Sequence, residues 1–174
     1  MADRIPAYAE ALFSVARAEG NVDEVEDELF RFAQTVEGSD ELRKALTDPD
    51  VPVARRQQIV EDLLGGKASN TTVALVSMVV GAGHAQDLSA IVRELVALSA
   101  AESGKEVAEV RSAVELTADQ QERLAKALNA ATGKQVTVKV VVDPYILGGV
   151  VAQVGDTVID GSVRSQLEQL RNAF

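Results

Sequence analysis

His84 is the one imidazole in the sequence, and no cysteine accompanies it. General acid–base or nucleophilic work by His84 would need a serine nucleophile or a second ligand-type side chain nearby in the pattern. None is there, so the simpler reading places His84 at a helix end. Asp143, Asp156 and Asp160 can be imagined as paired carboxylates for acid–base work. Each, however, adjoins Pro144, Gly155 or Gly161, where an aspartate binds its own backbone and makes a turn. Gly65-Gly66-Lys67 has the flavour of a phosphate loop, but that loop requires Gly at 61 and Ser or Thr at 68, and Glu61 and Ala68 stand there. Gly148-Gly149 lacks the third glycine and following helix of a dinucleotide fingerprint. Asp23, Glu24, Glu26, Asp27 and Glu28 match no calcium loop and read as a solvated, acidic helix start. No catalytic constellation, cofactor site or metal site emerges.

The bulk properties narrow the partners. A formal charge of −10 argues against nucleic acid and against unaided adhesion to anionic lipid. Residues 1–104 carry 9 Lys+Arg against 18 Asp+Glu, net −9, and residues 105–174 carry 8 against 9, net −1. Such asymmetry suggests two domains with different partners. No apolar run approaches the ~20 residues of a membrane span, and no leader pattern opens the chain, so the sequence predicts a soluble, cytosolic protein. Absence of cysteine fits a reducing compartment.

The elements that would position these residues follow from periodicity. Residues 3–19 form an amphipathic helix with Ile5, Tyr8, Ala9, Leu12, Phe13 and Ala16 on one stripe, stopped by Gly20-Asn21. Val22–Val36 is a second helix; Ser39 caps a third through Leu46; a fourth ends at Leu64. Residues 70–80 are apolar on nearly every side, as expected of a helix at a bundle's centre. A further helix spans Gln86–Ala101. Short connections and no strand signal make residues 1–104 an all-α bundle.

The period changes after Gly104. Val110, Ser112, Val114 and Leu116 alternate as a strand, Thr117 and Gln120 form a capping box, and the helix they open stops at Gly133. Val136, Val138, Val140 and Val142 alternate with Gln135, Thr137 and Lys139, predicting a strand with one buried face. Asp143-Pro144 ends it. A second run, Ile146–Val154, contains Gly148-Gly149, which permits a bulge or a close backbone approach. Gly155-Asp156 is a two-residue hairpin turn before Thr157-Val158-Ile159. Ser162 then offers an N-cap for a last helix bearing Val163, Leu167, Leu170 and Phe174. The fold class expected is α+β: an N-terminal helix bundle, 1–104, followed by a small mixed α/β domain, 105–174.

Several linked motifs in that second region resemble a known family. Asp143-Pro144, Leu147-Gly148-Gly149-Val150, Val154-Gly155-Asp156 and Val158-Ile159-Asp160-Gly161-Ser162-Val163-Arg164 stand in the order and spacing of the C-terminal signature of the F-type ATP synthase delta subunit, the oligomycin-sensitivity-conferring protein family. Tyr8-Ala9-x-Ala11-Leu12-x-x-x-Ala16, Leu46-x-Asp48-Pro49 and Val110-x-Ser112-Ala113-x-x-Leu116 extend the resemblance over nearly the whole chain. One departure is His84 after Gly83, where the family often has Arg.

The resemblance implies a non-catalytic stator subunit on the cytoplasmic face of a bacterial cell membrane, without cofactor, held to the membrane only through its complex. Its bundle would receive the N-terminal helix of an alpha subunit, and its second domain the C-terminal region of the b subunit. Tyr8, Leu12, Met78 and Val79 are core residues by pattern alone. The resemblance implies that they border the groove for the alpha-subunit helix, since the family's first and fifth helices form it. A rival from another class is a small-molecule-sensing α+β domain with a helical appendage, which would need a pocket of convergent polar groups. A free-standing helical adaptor is a third.

Overall fold

The computed structural model describes residues 4–162. The chain divides into two compact units, Met1–Ser99 and Ala100–Phe174. The helical unit contains α1 (Arg4–Glu19), α2 (Val22–Gly38), α3 (Asp40–Thr47), α4 (Val53–Leu64) and α5 (Asn70–Gly81). A single 3-10 turn, Ala85–Asp87, leads into α6 (Leu88–Glu102), whose last turn crosses into the second unit.

Helix α5 is the centre of its unit, packed against α1, α2 and α4. Its composition explains the position: Thr72, Leu75, Val76, Val79 and Val80 are all buried, so the helix has little polar face to give to water. Around it, Leu12 of α1, Leu29 of α2, Leu46 of α3, Val60 of α4 and Leu88, Ile91 and Leu95 of α6 are fully buried. Each such side chain contributes roughly 1.5–3 kcal/mol relative to exposure. The α2 stripe expected from the sequence, Val25, Leu29, Phe32, Ala33 and Val36, is the buried one.

The acidic start of α2 differs from the expectation of a uniformly solvated face. Asp23 and Glu24 are exposed, but Glu26 is buried and Glu28 is partly so. Glu28 reaches the start of α5, where its carboxylate accepts from the Ser69 N–H at 3.0 Å and the Ser69 hydroxyl at 2.8 Å. Ser69 in turn caps α5, its Oγ accepting from the Thr72 N–H at 3.3 Å. Burial by itself raises the Glu28 carboxyl, but hydrogen bonds from Thr72 and Ser69 and the Arg31 charge outweigh it and hold it below its ordinary value.

Removing this clamp by Glu28→Ala is expected to lower unfolding free energy by about 1–3 kcal/mol in urea titration. Because folding depresses this carboxyl, its contribution is fully present above the unfolded value of about 4.3 and disappears as pH falls through the lower folded value. The gap between wild type and variant should therefore close in acid. A gap of equal size at about pH 7 and about pH 3 contradicts the assignment.

The second unit is a four-stranded sheet in the order β2-β1-β3-β4, with β1 (Glu106–Ser112), β2 (Val136–Val142), β3 (Val150–Val154) and β4 (Thr157–Asp160). Strands β1 and β2 are parallel, joined through α7 (Ala118–Thr132), and the other pairs are antiparallel. The expected capping box opens α7: Thr117 Oγ1 accepts from the Gln120 N–H, and Gln120 Oε1 from the Thr117 N–H. Ala108, Val110, Leu128, Val136, Ala152 and Val154 form the core, with Leu116, Leu124, Val138, Val150 and Ile159 packed on it. Together the bundle and the mixed sheet make the α+β class.

Three details depart from the sequence reading, the first being that β3 starts at Val150, so residues 146–149 of the expected run are loop. β1 begins at Glu106 and ends at Ser112, so Val114 and Leu116 lie beyond it. Pairing with β2, from Glu106 opposite Val136 to Ser112 opposite Val142, sets those limits. Strand β2 does not have one buried and one solvated face, because Lys139 is buried while Val142 is exposed. The helix expected from Val163, Leu167, Leu170 and Phe174 lies outside the described residues.

Candidate functional site

On the helical unit, α1 and α5 lie side by side. Tyr8 is half-buried, and its ring centroid is 4.8 Å from that of His84, the planes inclined at 58°. Met78 is 44 % exposed, large for an apolar side chain on the central helix. Leu12 and Val79 are both fully buried. They belong to the buried core of the helical unit, whereas Tyr8 is half-buried and Met78 reaches solvent. Val15 on α1 is exposed as well, a residue the sequence reading missed. The available signal was its spacing: seven residues after Tyr8, it returns to the same helix side. Tyr8, Ala11 and Val15 of α1 and Ala74 and Met78 of α5 are apolar side chains of these two neighbouring helices that reach solvent at least in part.

The signature residues of the second unit converge on the connections between its strands. Asp143 makes a turn: its Oδ1 accepts from the Tyr145 N–H at 2.9 Å, and its N–H donates to the Ser112 carbonyl at 2.8 Å. Pro144 follows it, exposed. Asp160 makes the matching turn, accepting from the Ser162 N–H at 2.9 Å. Hydrogen bonds from the Ser162 hydroxyl and backbone hold its carboxyl below the usual carboxylate range. Gly155 and Asp156 form the hairpin turn between Val154 and Thr157, with Gly155 at φ 55°.

Gly148 precedes Gly149, which sits at φ 78° where its Cα faces the Gly161–Ser162 backbone. A Cβ there would lie 2.9 Å from Ser162 Cα and nearer still to the Gly161 carbonyl oxygen. The Gly161 N–H completes the approach by donating to the Val150 carbonyl at 3.0 Å. Thus the aspartates and glycines are spent on backbone geometry.

What this leaves in the open is apolar. Tyr145 is 93 % and Leu147 81 % exposed in the loop between β2 and β3; Val142, at the end of β2, and Val114, after β1, are exposed as well. Sequence reading passed over Tyr145, and took Leu147 only as part of the Leu147-Gly148-Gly149-Val150 motif inside a strand run. Their signal was apolar side chains caught between Pro144 and Gly148, where no ladder can bury them.

Two open cavities lie among the described residues. One, about 280 Å³, is lined by Glu28, Arg31, Phe32, Leu63 and Lys67 among others, and its carboxylate is already engaged by Ser69. The other, about 390 Å³, is a shallow recess lined by Leu116, Gln120, Arg123, Leu124 and Val150. Among the described residues no group of three or more His, Cys, Asp or Glu could hold a metal ion. Among the same residues no helix is long and apolar enough to cross a membrane.

Residues 6–174 match the family described as ATP synthase delta (OSCP) subunit. The chain belongs to that family. It is 44 % identical over 162 residues to the ATP synthase subunit delta of Nocardia farcinica, covering 93 % of this chain and 60 % of the relative. With that of Desulforudis audaxviator it shares 36 % identity over 167 residues, 96 % of this chain and 92 % of the relative. The chain thus spans about 60 % of the length of several curated delta-subunit relatives it matches. Its fold is similar to a chain in the cryo-EM structure of the Toxoplasma gondii mitochondrial ATP synthase hexamer, at TM-score 0.60 and 23 % identity, covering 97 % of this chain and 96 % of that one.

Proposed function

We propose that this delta-family chain is a peripheral-stalk subunit of an F-type ATP synthase, a connector between the catalytic head and the b-subunit stalk. The observation that carries the reading is the family match, which runs through both units. In such a machine a central shaft turns inside the head, and the head would turn with it unless tied down. Residues 1–104 take the N-terminal helix of an alpha subunit on the Tyr8–Met78 face. Residues 105–174 take the C-terminal region of the b subunit. Exposed apolar groups of this kind on a folded surface favour protein partners, and the two sets, Tyr8 with Met78 and Tyr145 with Leu147, support one contact on each unit.

Two binding units in one chain raise the effective concentration of the second contact once the first is made. The net charge of −9 on residues 1–104 speeds encounter with a basic partner surface. The chain itself makes and breaks no bond, binds no cofactor or nucleic acid, and sits at the cytoplasmic face of the bacterial cell membrane through its complex alone.

Calorimetric titration of a fragment ending at residue 104 with a synthetic alpha-subunit N-terminal peptide tests the division of labour. We expect a helical fragment that binds the peptide as the full chain does. A folded fragment that ignores the peptide contradicts the assignment of that contact, and an unfolded one contradicts the boundary. Stabilisation of the full chain by a nucleotide or metabolite, with none from the peptide, would favour a small-molecule sensor instead.

A further inference from the structure

We propose that His84 is a positioning residue for the partner face: it holds the Tyr8 ring in place and so sets how firmly that face grips an incoming amphipathic helix. The inference rests on the reading of the Tyr8–Met78 face as the docking site for the alpha-subunit helix.

His84 follows α5, and its backbone is pinned on both sides. Its N–H donates to the Val79 carbonyl at 3.0 Å, and its carbonyl accepts from the Asp87 N–H at 3.0 Å. The side chain is only 18 % exposed, with Nδ1 3.4 Å from Asp87 Oδ2. Asp87 closes the 3-10 turn, and Leu88, the next residue, is buried at the start of α6. The imidazole thus has two neighbours, the Asp87 carboxylate at Nδ1 and the Tyr8 ring at 4.8 Å.

The separation of 4.8 Å and tilt of 58° fall among the arrangements that aromatic rings favour. Tyr8 is half-buried on α1, and a ring so placed would otherwise lose rotamer freedom when a partner closes over it. Fixing the ring beforehand removes that cost from the binding step. His84 reaches the partner through Tyr8; the contact it supplies is a preset shape.

The test uses the full chain and a synthetic alpha-subunit N-terminal peptide, read by calorimetry, with NMR of the Tyr8 ring protons alongside. His84→Ala should move the Tyr8 ring resonances and weaken the peptide about three- to tenfold. His84→Phe, which keeps a ring, should recover most of that loss, and Asp87→Ala should fall between. Combining His84→Ala with Tyr8→Ala should be little worse than Tyr8→Ala alone, since the two residues act through one contact. Losses that simply add, or peptide affinity unchanged in His84→Ala, overturn the inference. If His84→Ala fails to fold, the phenylalanine and Asp87→Ala variants decide by the same readings. Wild-type chain that shows the Tyr8–His84 ring signature but never binds the peptide removes the docking reading, and this inference with it. Wild-type binding that no His84 or Asp87 variant alters removes the inference alone.

Discussion

Gly149→Val is expected to cost the second unit about 3–5 kcal/mol, the upper range for a single substitution. Two effects add at this position. The backbone is at φ 78°, where an L side chain crowds its own carbonyl at roughly 1–2 kcal/mol. The new Cβ would also collide with the Gly161–Ser162 backbone. Backbone cannot swing aside as a long side chain can, so β4 would have to separate from the turn before β3. Because the collision is at Cβ, Gly149→Ala should already show most of the effect. Hydrogen exchange on the amides of β3 and β4 measures it, with α1–α6 serving as the internal control. Exchange at the wild-type rate in both variants would show that the close approach at Gly149 carries no energy.

Met78→Asp is expected to weaken binding of the alpha-subunit peptide by about 30-fold or more, the loss typical of an interface residue at the energetic centre. The side chain is 44 % exposed, so the free protein tolerates a carboxylate there and circular dichroism should stay native. Closing an apolar helix over that carboxylate strips its water without supplying a partner. Tyr8→Asp should act alike. Leu12→Asp and Val79→Asp should not be used for this purpose: both sites are fully buried, and a charge there would unfold the bundle before binding could be read. Undiminished peptide binding by Met78→Asp and Tyr8→Asp together would remove the face from the account.

How much of this was legible in the sequence depends on whether local or distant contacts decide each feature. Helix α5 was plain, because a segment apolar on all sides has only one comfortable place in a bundle. The Thr117–Gln120 capping box and the Gly155-Asp156 turn were readable because both bonds and turn are made within a few residues. Strand β2 had its limits written in the Val alternation and in Asp143-Pro144. Strand β1 did not: its first residue is fixed by pairing with Val136, thirty positions away, and by the Glu106–Lys134 ion pair at 2.7 Å. Lys139 was unreadable because its burial arises from packing in the folded unit and not from the alternation along β2.

The candidate site was legible in part. Asp143 and Asp160 could be assigned to turns because an aspartate beside Pro or Gly finds its acceptor role locally. The clamp from Glu28 to Ser69 could not, since the two are joined only when α2 and α5 meet. Helical spacing put Leu12 in α1 and Val79 in α5, but only packing distinguishes a buried residue of these helices from an exposed one.

The central claim is that this chain is a passive tie between two parts of a rotary machine. Its most direct test is proton-driven ATP synthesis by washed membranes from cells lacking the chain, with the catalytic heads counted in the membrane and wash fractions. The account predicts that heads appear in the wash, that coupled synthesis collapses, and that adding the purified chain restores both. Membranes without the chain that keep their heads and synthesise ATP at the wild-type coupled rate would contradict it.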